Sequence, residues 1–455
     1  MYVSLIFLSL RSLRRLDNLC PLTPNMTMFG TSGVRGVVGE LVTTDLALRI
    51  GAAVGEDVET LTVGRDTRTT GKGLENAVVA GALSAGADVE RVGVAPTPSV
   101  VRYAEEASLV VTASHNPPEY NGFKPWNADG TAYDEEQRAA VERRVKEGQK
   151  SVRASEFGDD RSVDDALRRH ADSVVDAVAD ADVRVVVDGG GGAGSRITPK
   201  VLRRLGCDVV TVNCDYDGSF SARLPEPTDE NLDDLKKAVV AFDADVGLAH
   251  DGDADRVAAV DSSGEYVEPD RLMAMFALWE GAERVVAPVN TSTVVDEVAE
   301  VTRTAVGDVN VAAELKRGGG DFGGEPSNNW IFPDETLCPD GVLAAAKVCA
   351  LASEKSLRER IDDLPPRYVR RGNFEVADEK KTSVMDGVAE RAETKYGEFT
   401  AIDGVRVEVE GGWFLVRPSG TEPKVRVTAE GETEERADEV YDKATDILRE
   451  AMDSE

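Results

Sequence analysis

Helical and strand patterns alternate along most of this chain, from Thr43 onward. The segment TTDLALRIGAAVG carries apolar residues at helical spacing behind capping residues, TLTVGRDTR is a short strand that enters a basic loop, and GLENAVVAGALSAGA is again helical. Strand, loop, helix and strand in this order predict a largely parallel sheet, because parallel neighbours require crossover connections. The chain is therefore expected to fold as an α/β protein.

The same order of elements recurs twice more. VRVVVDGGGGAGSRITPKVLRRLGCDVVTV begins a second round, and ERVVAPVNTSTVVDEVAE begins a third. The segment LPPRYVRRG, residues 364–372, is interpreted as a linker, and GVRVEVEGGWFLVRPSGTEPKVRVTAEG beyond it predicts a β-meander followed by an amphipathic helix. We predict three similar mixed α/β domains and a smaller C-terminal α+β domain, at residues 28–150, 151–257, 258–366 and 367–455.

Residues 1–27 are set apart from these domains. Their apolar run, residues 2–10, is far shorter than the roughly 20 residues of a membrane-spanning helix. Basic residues follow this run, which is the reverse of their order in a signal peptide. We interpret residues 1–27 as an upstream extension from a misplaced start codon, with Met28 or Met26 as the natural start and a signal anchor as the less favoured alternative.

The composition excludes several classes of partner. With 84 acidic and 52 basic residues the formal net charge is −32, and such a surface repels nucleic acid and anionic membranes. The acidic residues are dispersed along the chain, which indicates an organism that lives in high salt. The five cysteines form no C-x-x-C pair, so we expect reduced thiols and a cytoplasmic location. The chain has only three histidines, which are too few for most multi-histidine metal sites.

The stretch LVVTASHNPPEYNGFKPW, residues 109–126, is an apolar strand that delivers a hydroxyl, Ser114, into a loop with two prolines. One explanation is structural, because Ser, His and Asn often end strands and a Pro-Pro pair enforces a turn. The other is chemical: the strand holds Ser114 rigidly as a nucleophile at its tip. The stretch alone leaves both explanations open.

The acidic loop AHDGDADRVAAV places Asp251, Asp253 and Asp255 at alternate positions. In extended backbone, alternate side chains point the same way, so three carboxylates are expected to converge. A hard divalent cation relieves their repulsion, and oxygen ligands favour Mg²⁺. An EF-hand is the competing metal site, but Arg256 and Ser262 stand where it requires glycine and glutamate. An ordinary acidic turn is the remaining alternative; the flanking apolar strands favour a rigidly held metal loop.

The basic loop RPSGTEPKVRV, residues 417–427, combines guanidinium groups, hydroxyls and an unhindered backbone amide. These are the groups with which a protein holds a phosphate. A simple hairpin turn needs only Pro-Ser-Gly, and the added cations in so acidic a chain favour anion binding. The same interpretation is extended to GTSGVRG (30–36) and GRDTR (64–68).

Two further loops carry weaker signals. The glycine run DGGGGAGS, residues 188–195, does not match G-x-G-x-x-G, so tight strand-to-helix packing explains it better than a dinucleotide site. GGEPSNNWIFPD, residues 323–334, gathers a carboxylate, a hydroxyl and two amides, which suit sugar hydroxyls but also a turn.

Four of these motifs together resemble, in sequence and order, the signature loops of the α-D-phosphohexomutase family: TASHNPPEYNG, DGDADR, GGEPSNNW and RPSGTEPKVRV. FGTSGVRG and GRDTR are also in place, and the similarity extends from residue 28 to about residue 450. The resemblance implies four domains around a central cleft, each contributing one loop. Together with the acidic composition it favours a halophilic archaeon as the source.

The resemblance also implies a reaction, that of an isomerase. The active enzyme would carry phosphate on Ser114, with Mg²⁺ held by that phosphoserine and by Asp251, Asp253 and Asp255. The phosphoryl group would pass to a hexose 1-phosphate or 6-phosphate, and the resulting hexose 1,6-bisphosphate would reorient before its other phosphate returns to the serine. Phosphoryl transfer asks mainly for positioning and charge neutralisation, which these residue types supply.

The remaining site residues follow from their positions in the matching motifs. Lys124 corresponds to a general acid/base near the serine, and Arg35 and His115 correspond to other catalytic residues. The residues implied in substrate binding are Arg256, Glu325, Ser327, Arg417, Ser419, Gly420, Thr421 and Arg426.

One departure concerns Asn329, which stands where the family often has histidine. Any acid/base or phosphate role of that side chain is lost here, and the preference among glucose, mannose and glucosamine phosphates stays open, with a lean toward glucosamine. A metal-dependent sugar-phosphate phosphohydrolase and a non-catalytic sugar-phosphate binding protein are the alternative functions. The expected partner is a phosphorylated hexose, and the protein is expected to be a monomer or a homodimer.

Overall fold

The computed structural model describes residues 28–30, 33–148, 151–420 and 423–454. The expected extension at residues 1–27 and Thr421 of the basic loop lie outside these described residues. The described chain forms four units, each built on its own sheet. Within the described residues no helix combines the length and the apolar character needed to cross a membrane.

Unit I is a six-stranded mixed sheet with strand order β1-β5-β4-β2-β3-β6. Strands β2, β3, β4 and β6 run parallel, whereas β5 and β1 add antiparallel at the edge beside β4. Its elements are β1 Val34–Val37, α1 Thr44–Gly55, β2 Thr60–Arg65, α2 Gly71–Ala85, β3 Asp88–Val94, α3 Thr97–Tyr103, β4 Ala107–Val111, β5 Tyr120–Asn127, α4 Glu135–Glu147 and β6 Asp160–Ser162. The capping residue expected before α1 is Thr43, whose hydroxyl accepts from the amide of Leu46 at 3.1 Å.

Units II and III are four-stranded mixed sheets with strand orders β10-β9-β7-β8 and β12-β11-β13-β14. In each, a final antiparallel hairpin closes an otherwise parallel sheet. Unit II comprises α5 Ala166–Ala177, β7 Arg184–Asp188, α6 Thr198–Arg204, β8 Asp208–Val212, α7 Asp233–Ala241, β9 Val246–His250 and β10 Val257–Asp261. Unit III comprises α8 Pro269–Glu280, β11 Arg284–Pro288, β12 Glu300–Thr304, α9 Asp308–Lys316, β13 Phe322–Glu325, β14 Asn329–Ile331, α10 Gly341–Glu354 and α11 Leu357–Asp362.

Unit IV is the predicted smaller α+β domain, with an antiparallel sheet of order β15-β18-β17-β16. Its elements are β15 Tyr368–Glu375, α12 Asp378–Tyr396, β16 Val405–Val409, β17 Gly412–Pro418, β18 Lys424–Gly431 and α13 Glu434–Met452. The predicted meander and closing helix are confirmed. The segment 364–372 is not only a linker, because its second half pairs with β18 and begins the sheet.

Two of the expected domain boundaries are wrong. The boundary at residue 150 falls too early, because β6 pairs with β3 and belongs to the sheet of unit I. The boundary at residue 257 cuts β10, which pairs along its whole length with β9 of unit II. Both errors arise from backbone hydrogen bonds to strands that lie earlier in the chain, which local sequence patterns do not reveal.

Units II and III share one hydrophobic core, to which β7, β9, α8 and α10 all contribute. Helix α10 is buried from Gly341 to Ala352, so it is a central helix rather than a surface one. Units I and IV have cores of their own. Unit IV meets unit III through a small apolar cluster of Val289, Trp413 and Leu415.

Candidate active site

Ser114 lies three residues beyond β4, which ends at Val111 rather than at the serine itself. Its backbone has a φ of +48°, a left-handed conformation that is uncommon outside glycine and costs on the order of 1 kcal/mol or more. The side chain is buried, with 1% exposure. The amide of Ser114 donates to the Thr112 hydroxyl at 2.8 Å, so the strained turn begins as the strand ends.

Arg68 holds this turn in place. Its guanidinium donates to the carbonyl oxygens of Ser114 at 2.9 Å and Asn116 at 2.6 Å, and also to those of Pro117 and Tyr120 at 2.6 and 2.9 Å. Its Nε donates to Asp66 Oδ2 at 3.0 Å. Every nitrogen of this buried guanidinium therefore donates a hydrogen bond to a protein oxygen. The anion-binding interpretation of GRDTR is wrong for Arg68, because its donors are already satisfied by backbone carbonyls.

We expect Arg68→Lys to lower kcat by about 100-fold with little change in KM, because a misplaced nucleophile loses its aligned approach. A lysine ammonium also cannot reach four carbonyls, so the free energy of unfolding should fall by about 3 kcal/mol. Steady-state kinetics and urea denaturation measure the two effects. Arg65→Lys is the matched control, since Arg65 donates to Glu75 and to the carbonyl of Asp66 rather than to the serine turn. Wild-type kcat in Arg68→Lys would contradict the positioning role.

The three aspartates of the acidic loop converge as expected. Their carboxylate oxygens lie within 4.8 Å of one another, and all three side chains are buried. The expected extended backbone is not what brings them together: the loop bends, with Ala254 at a φ of +53°. Thr97 of α3 fixes the loop by donating its hydroxyl to Asp253 Oδ2 at 2.6 Å.

The glycine run packs against this acidic loop. A Cβ at Gly192 would lie 2.7 Å from the carbonyl oxygen of Asp251, and the amide of Ala193 donates to the carbonyl of Gly252 at 2.9 Å. The absence of side chains therefore allows the two loops to approach. The sequence predicted packing of strand against helix here, whereas the partner at these positions is the acidic loop.

The electrostatics of the acidic loop fit a cation. Burial, together with the charges of its acidic neighbours, raises the pKa of Asp251 well above its usual value and that of Asp255 to about 7. Asp253 Oδ1 and Asp255 Oδ1 are buried without a hydrogen-bond partner among the described residues. An oxygen-only donor set with orphaned buried carboxylate atoms suits Mg²⁺. The carboxylate oxygens of the acidic loop are therefore suitable ligands for the predicted Mg²⁺.

The serine loop and the acidic loop meet directly. Ser114 Oγ donates to Asp251 Oδ2 at 2.6 Å, although the two residues are 137 positions apart in the chain. His115 Nδ1 lies 3.3 Å from the same Oγ. Burial, and then the nearby cations Arg256 and Arg35, hold the pKa of His115 well below its usual value, so its imidazole is neutral. The Ser114 hydroxyl thus lies between a neutral imidazole and the acidic loop.

Lys124 lies in the same region and forms a buried ion pair. Its Nζ lies 2.6 Å from Asp308 Oδ2 at the start of α9 in unit III. Burial alone would raise the pKa of Asp308, but the charge of Lys124, with those of Arg35 and Arg256, holds it below its usual value. Residues of units I, II and III thus converge on one group of charges.

The predicted sugar-binding loop is the turn between β13 and β14. Glu325 Oε1 accepts from the amide of Gly307 at 2.8 Å, and Glu325 Oε2 accepts from Asn329 Nδ2 at 3.2 Å. Burial, with the nearby charge of Asp308, raises the pKa of Glu325. Ser327 is half-buried in the same turn. The backbones of Asn329 and Arg256 form an isolated antiparallel β-bridge, which joins this loop to the acidic loop.

The basic loop of unit IV places two arginines side by side. Arg417 of β17 and Arg426 of β18 are opposite partners in the antiparallel register. Arg417 also pairs with Asp403, 3.3 Å away, and Glu325 contributes to the electrostatic field at its guanidinium. Ser419 is buried beside them, and Gly420 is exposed. The loop therefore faces the sugar-binding loop and presents paired positive charge, which suits a phosphate.

Several functional contacts were not predicted from the sequence. These are the support of the serine turn by Arg68, the fixing of Asp253 by Thr97 and the pairing of Lys124 with Asp308. The motif GRDTR marked the position of Arg68 but not its role. No local signal marked Thr97 or Asp308, because each acts on a residue of another unit.

Comparison with known proteins supports this assignment of loops to units. Four family models match in succession: Phosphoglucomutase/phosphomannomutase, alpha/beta/alpha domain I at residues 26–152, domain II at 164–264, domain III at 268–368 and the C-terminal domain at 373–447. These matches cover most of the chain.

Relatives and solved structures agree with the family models. A probable phosphoglucosamine mutase of Methanosarcina acetivorans is 48% identical over 436 residues, 94% of this chain and 100% of that protein. One of Methanococcoides burtonii is 45% identical, over 94% and 100% of the two chains. The crystal structure of a phosphoglucomutase/phosphomannomutase family protein from Burkholderia thailandensis superposes with a TM-score of 0.84 at 27% identity, covering 94% and 98%. The chain belongs to the phosphoglucomutase/phosphomannomutase family and is a phosphohexomutase, an isomerase.

Proposed function

We propose that this phosphohexomutase interconverts the 1-phosphate and 6-phosphate of glucosamine through a phosphoserine at Ser114 and a sugar bisphosphate. The observation that carries the proposal is the 2.6 Å contact of Ser114 Oγ with Asp251 inside a buried cluster of three carboxylates. A hydroxyl placed there can accept and return a phosphoryl group where charge is neutralised and water is excluded. The relatives described above are probable phosphoglucosamine mutases.

Each residue of the cleft has a role in this proposal. Asp251, Asp253 and Asp255, with the phosphate of Ser114, would hold Mg²⁺, whose charge would offset that of the transferring group. Arg417, Ser419, Gly420, Thr421 and Arg426 hold whichever phosphate is not reacting, so one site serves both orientations of the sugar. Arg35 and Arg256 neutralise charge near the serine. Glu325, Ser327 and Asn329 contact the sugar.

The transfer step balances on groups that the protein supplies. The bond between phosphorus and Ser114 Oγ breaks, a bond to a sugar hydroxyl oxygen forms, and the hydroxyl proton ends on Ser114 Oγ. His115 Nδ1 lies 3.3 Å from that oxygen, and Lys124 lies in the same group of charges, ion-paired with Asp308. These two groups are therefore placed to hold the proton in turn.

The described cysteines are free thiols, in keeping with a cytoplasmic protein.

The amino sugar is preferred because of the acceptors in the sugar-binding loop. Glu325 is a buried carboxylate, and Asn329 Oδ1 is buried without a donor among the described residues. An ammonium group at C2 of the sugar supplies donors to such oxygens, whereas a hydroxyl supplies one donor only.

The test is a side-by-side assay of glucosamine, glucose and mannose 1-phosphates with the purified protein and Mg²⁺. We expect kcat/KM to be at least 10-fold higher for glucosamine 1-phosphate, with the 6-phosphate as the product. Release of inorganic phosphate without isomerisation would select a phosphohydrolase instead. Tight binding without turnover, seen by calorimetry, would select a binding protein.

We further expect Glu325→Gln to lower kcat/KM for glucosamine 1-phosphate by about 100-fold and for glucose 1-phosphate by about 10-fold or less. The difference arises because the variant removes the negative charge that faces the ammonium but keeps an acceptor oxygen. The ratio of the two substrates serves as an internal control for any general damage to the site. An unchanged ratio would show that Glu325 does not read the amino group.

A further inference from the structure

A segment of unit II lies directly against the loop of unit I that carries Arg68. Residues 217–223, here called the strap, belong to the connection between β8 and α7. A Cβ on Gly218 of the strap would overlap the carbonyl oxygen of Thr67 and would lie 2.7 Å from the amide nitrogen of Thr69. Only a residue without a side chain allows this approach, so the strap and the loop of unit I are in backbone contact.

Both ends of the strap are tied to unit II beside the acidic loop. At its start, the amide of Asp217 donates to the carbonyl oxygen of Gly191 in the glycine run at 2.9 Å. At its end, Arg223 donates from Nε to Asp188 Oδ2 at 2.9 Å and from Nη2 to the carbonyl oxygen of His250 at 2.6 Å. The strap is therefore a fixed connection between the two loops that meet at the serine.

Phe220, in the middle of the strap, has a strained backbone. Its φ is +50°, a left-handed conformation that is a genuine outlier for a bulky side chain. Such strain persists where the surroundings determine the conformation, and it is concentrated at functional sites. The side chain is buried, with 4% exposure, yet it belongs to none of the apolar clusters that the described residues form. Packing in a hydrophobic core therefore does not explain its position.

The Phe220 ring instead contacts the supports of the serine turn and of the acidic loop. The guanidinium carbon of Arg68 lies over the ring, 5.0 Å from its centroid. A Cβ on Gly252, the residue after Asp251, would lie 3.3 Å from the ring atom Cζ and 2.6 Å from the carbonyl oxygen of Ser114. The ring, the guanidinium and the backbones of both loops thus form one packed group behind the contact of Ser114 Oγ with Asp251.

We propose that Phe220 is a positioning residue for phosphoryl transfer, whose ring holds the serine turn and the acidic loop at the separation that the transfer requires. The proposal rests on the phosphoserine proposed above. Phe220 does not touch Ser114 Oγ; it acts through Arg68 and Gly252. Aligned transfer is sensitive to small displacements, and a shift of about 1 Å can cost about 100-fold in rate. A smaller side chain would leave part of the ring's space empty, so the two loops could shift relative to each other.

Single-turnover kinetics test this role. Wild type and Phe220→Leu are phosphorylated with a hexose 1,6-bisphosphate, and transfer from the phosphoserine to glucosamine 1-phosphate in Mg²⁺ is followed by rapid quench. We expect the rate constant for transfer to fall about 10-fold in Phe220→Leu and about 100-fold in Phe220→Ala, with the Kd for the sugar phosphate changed by about twofold or less. Phe242→Leu is the control, because Phe242 is 47% exposed in the same unit, and it should transfer at the wild-type rate.

The leucine variant keeps an apolar side chain, so it decides the question even if the alanine variant fails to fold. Transfer at the wild-type rate in Phe220→Leu, or a loss confined to the Kd, would overturn the positioning role. A wild-type protein that takes no phosphate on Ser114 would overturn the proposed function, and the positioning role with it.

A double variant separates positioning from a general loss of stability. If Phe220 and Arg68 act through the same turn, Arg68→Lys combined with Phe220→Leu should lose about 100-fold in transfer, close to the effect of Arg68→Lys alone. Independent effects would multiply to about 1000-fold, and that result would overturn the proposal. Urea denaturation of each variant establishes that the protein is folded under the assay conditions, so the rate constants describe the native site.

Discussion

Replacing Ser114 with alanine is expected to lower kcat by about 10⁴-fold or more, the scale of loss when a covalent nucleophile is removed. The variant lacks the oxygen that we propose accepts the phosphoryl group, and no other hydroxyl among the described residues bonds to Asp251. Coupled assays of 1-phosphate to 6-phosphate conversion measure the loss. Mass spectrometry of the intact wild-type protein should show one added phosphate, located on Ser114 by peptide mapping, which the variant lacks.

Ser108→Ala is the matched control for this experiment. Ser108 lies on the same strand, β4, and its hydroxyl is buried without a partner among the described residues. The control removes one hydroxyl from the same element but leaves the serine turn intact, so activity near that of the wild type is expected. Full mutase activity in Ser114→Ala would refute the phosphoserine mechanism. A wild-type serine that stays unmodified after incubation with a hexose 1,6-bisphosphate would refute it equally.

Replacing Asp255 with asparagine is expected to make the protein more stable than the wild type without metal and less stable than the wild type with metal. At 4.8 Å and an effective dielectric constant of 20, each pair of charged carboxylates repels by roughly 3 kcal/mol. Burial, with the charge of Asp253, raises the pKa of Asp255 to about 7, so at pH 8 the metal-free loop carries this repulsion. Removal of one charge should therefore raise Tm in EDTA, by about 2–4 °C per kcal/mol relieved.

In saturating Mg²⁺ the same variant should be less stable than the wild type. A metal ion that binds only the folded state stabilises it by mass action, by about 2.7 kcal/mol at 100 times its Kd. The variant has lost one carboxylate that coordinates the metal, so it gains less of this stabilisation.

Activity should fall by about 100- to 1000-fold. Differential scanning calorimetry with EDTA or Mg²⁺ and direct titration of Mg²⁺ measure these effects. Asp243→Asn is the control, because Asp243 is exposed and its φ of +51° suits asparagine. Equal Mg²⁺ affinity in Asp255→Asn and wild type would exclude Asp255 as a ligand.

Much of the fold and of the candidate site follows from short segments of sequence. The alternation of helix and strand patterns predicted the α/β units, and the segment GVRVEVEGGWFLVRPSGTEPKVRVTAEG predicted the meander that presents Arg417. The convergence of Asp251, Asp253 and Asp255 was also predicted from their spacing, although a bend at Ala254 produces it. These features depend on residues close together in the chain, where backbone periodicity and turn chemistry determine which side chains meet.

Local sequence patterns are therefore sufficient to identify the family, the order of the units and the chemical groups that each loop carries. The fold was needed to show that Arg68 holds the serine turn, that Lys124 pairs with Asp308 and that units II and III share a core. Lys124 and Asp308 are 184 positions apart, and no local pattern links them. Such contacts form only when packing brings distant segments together, because burial selects the partners that satisfy each charge and each hydrogen bond.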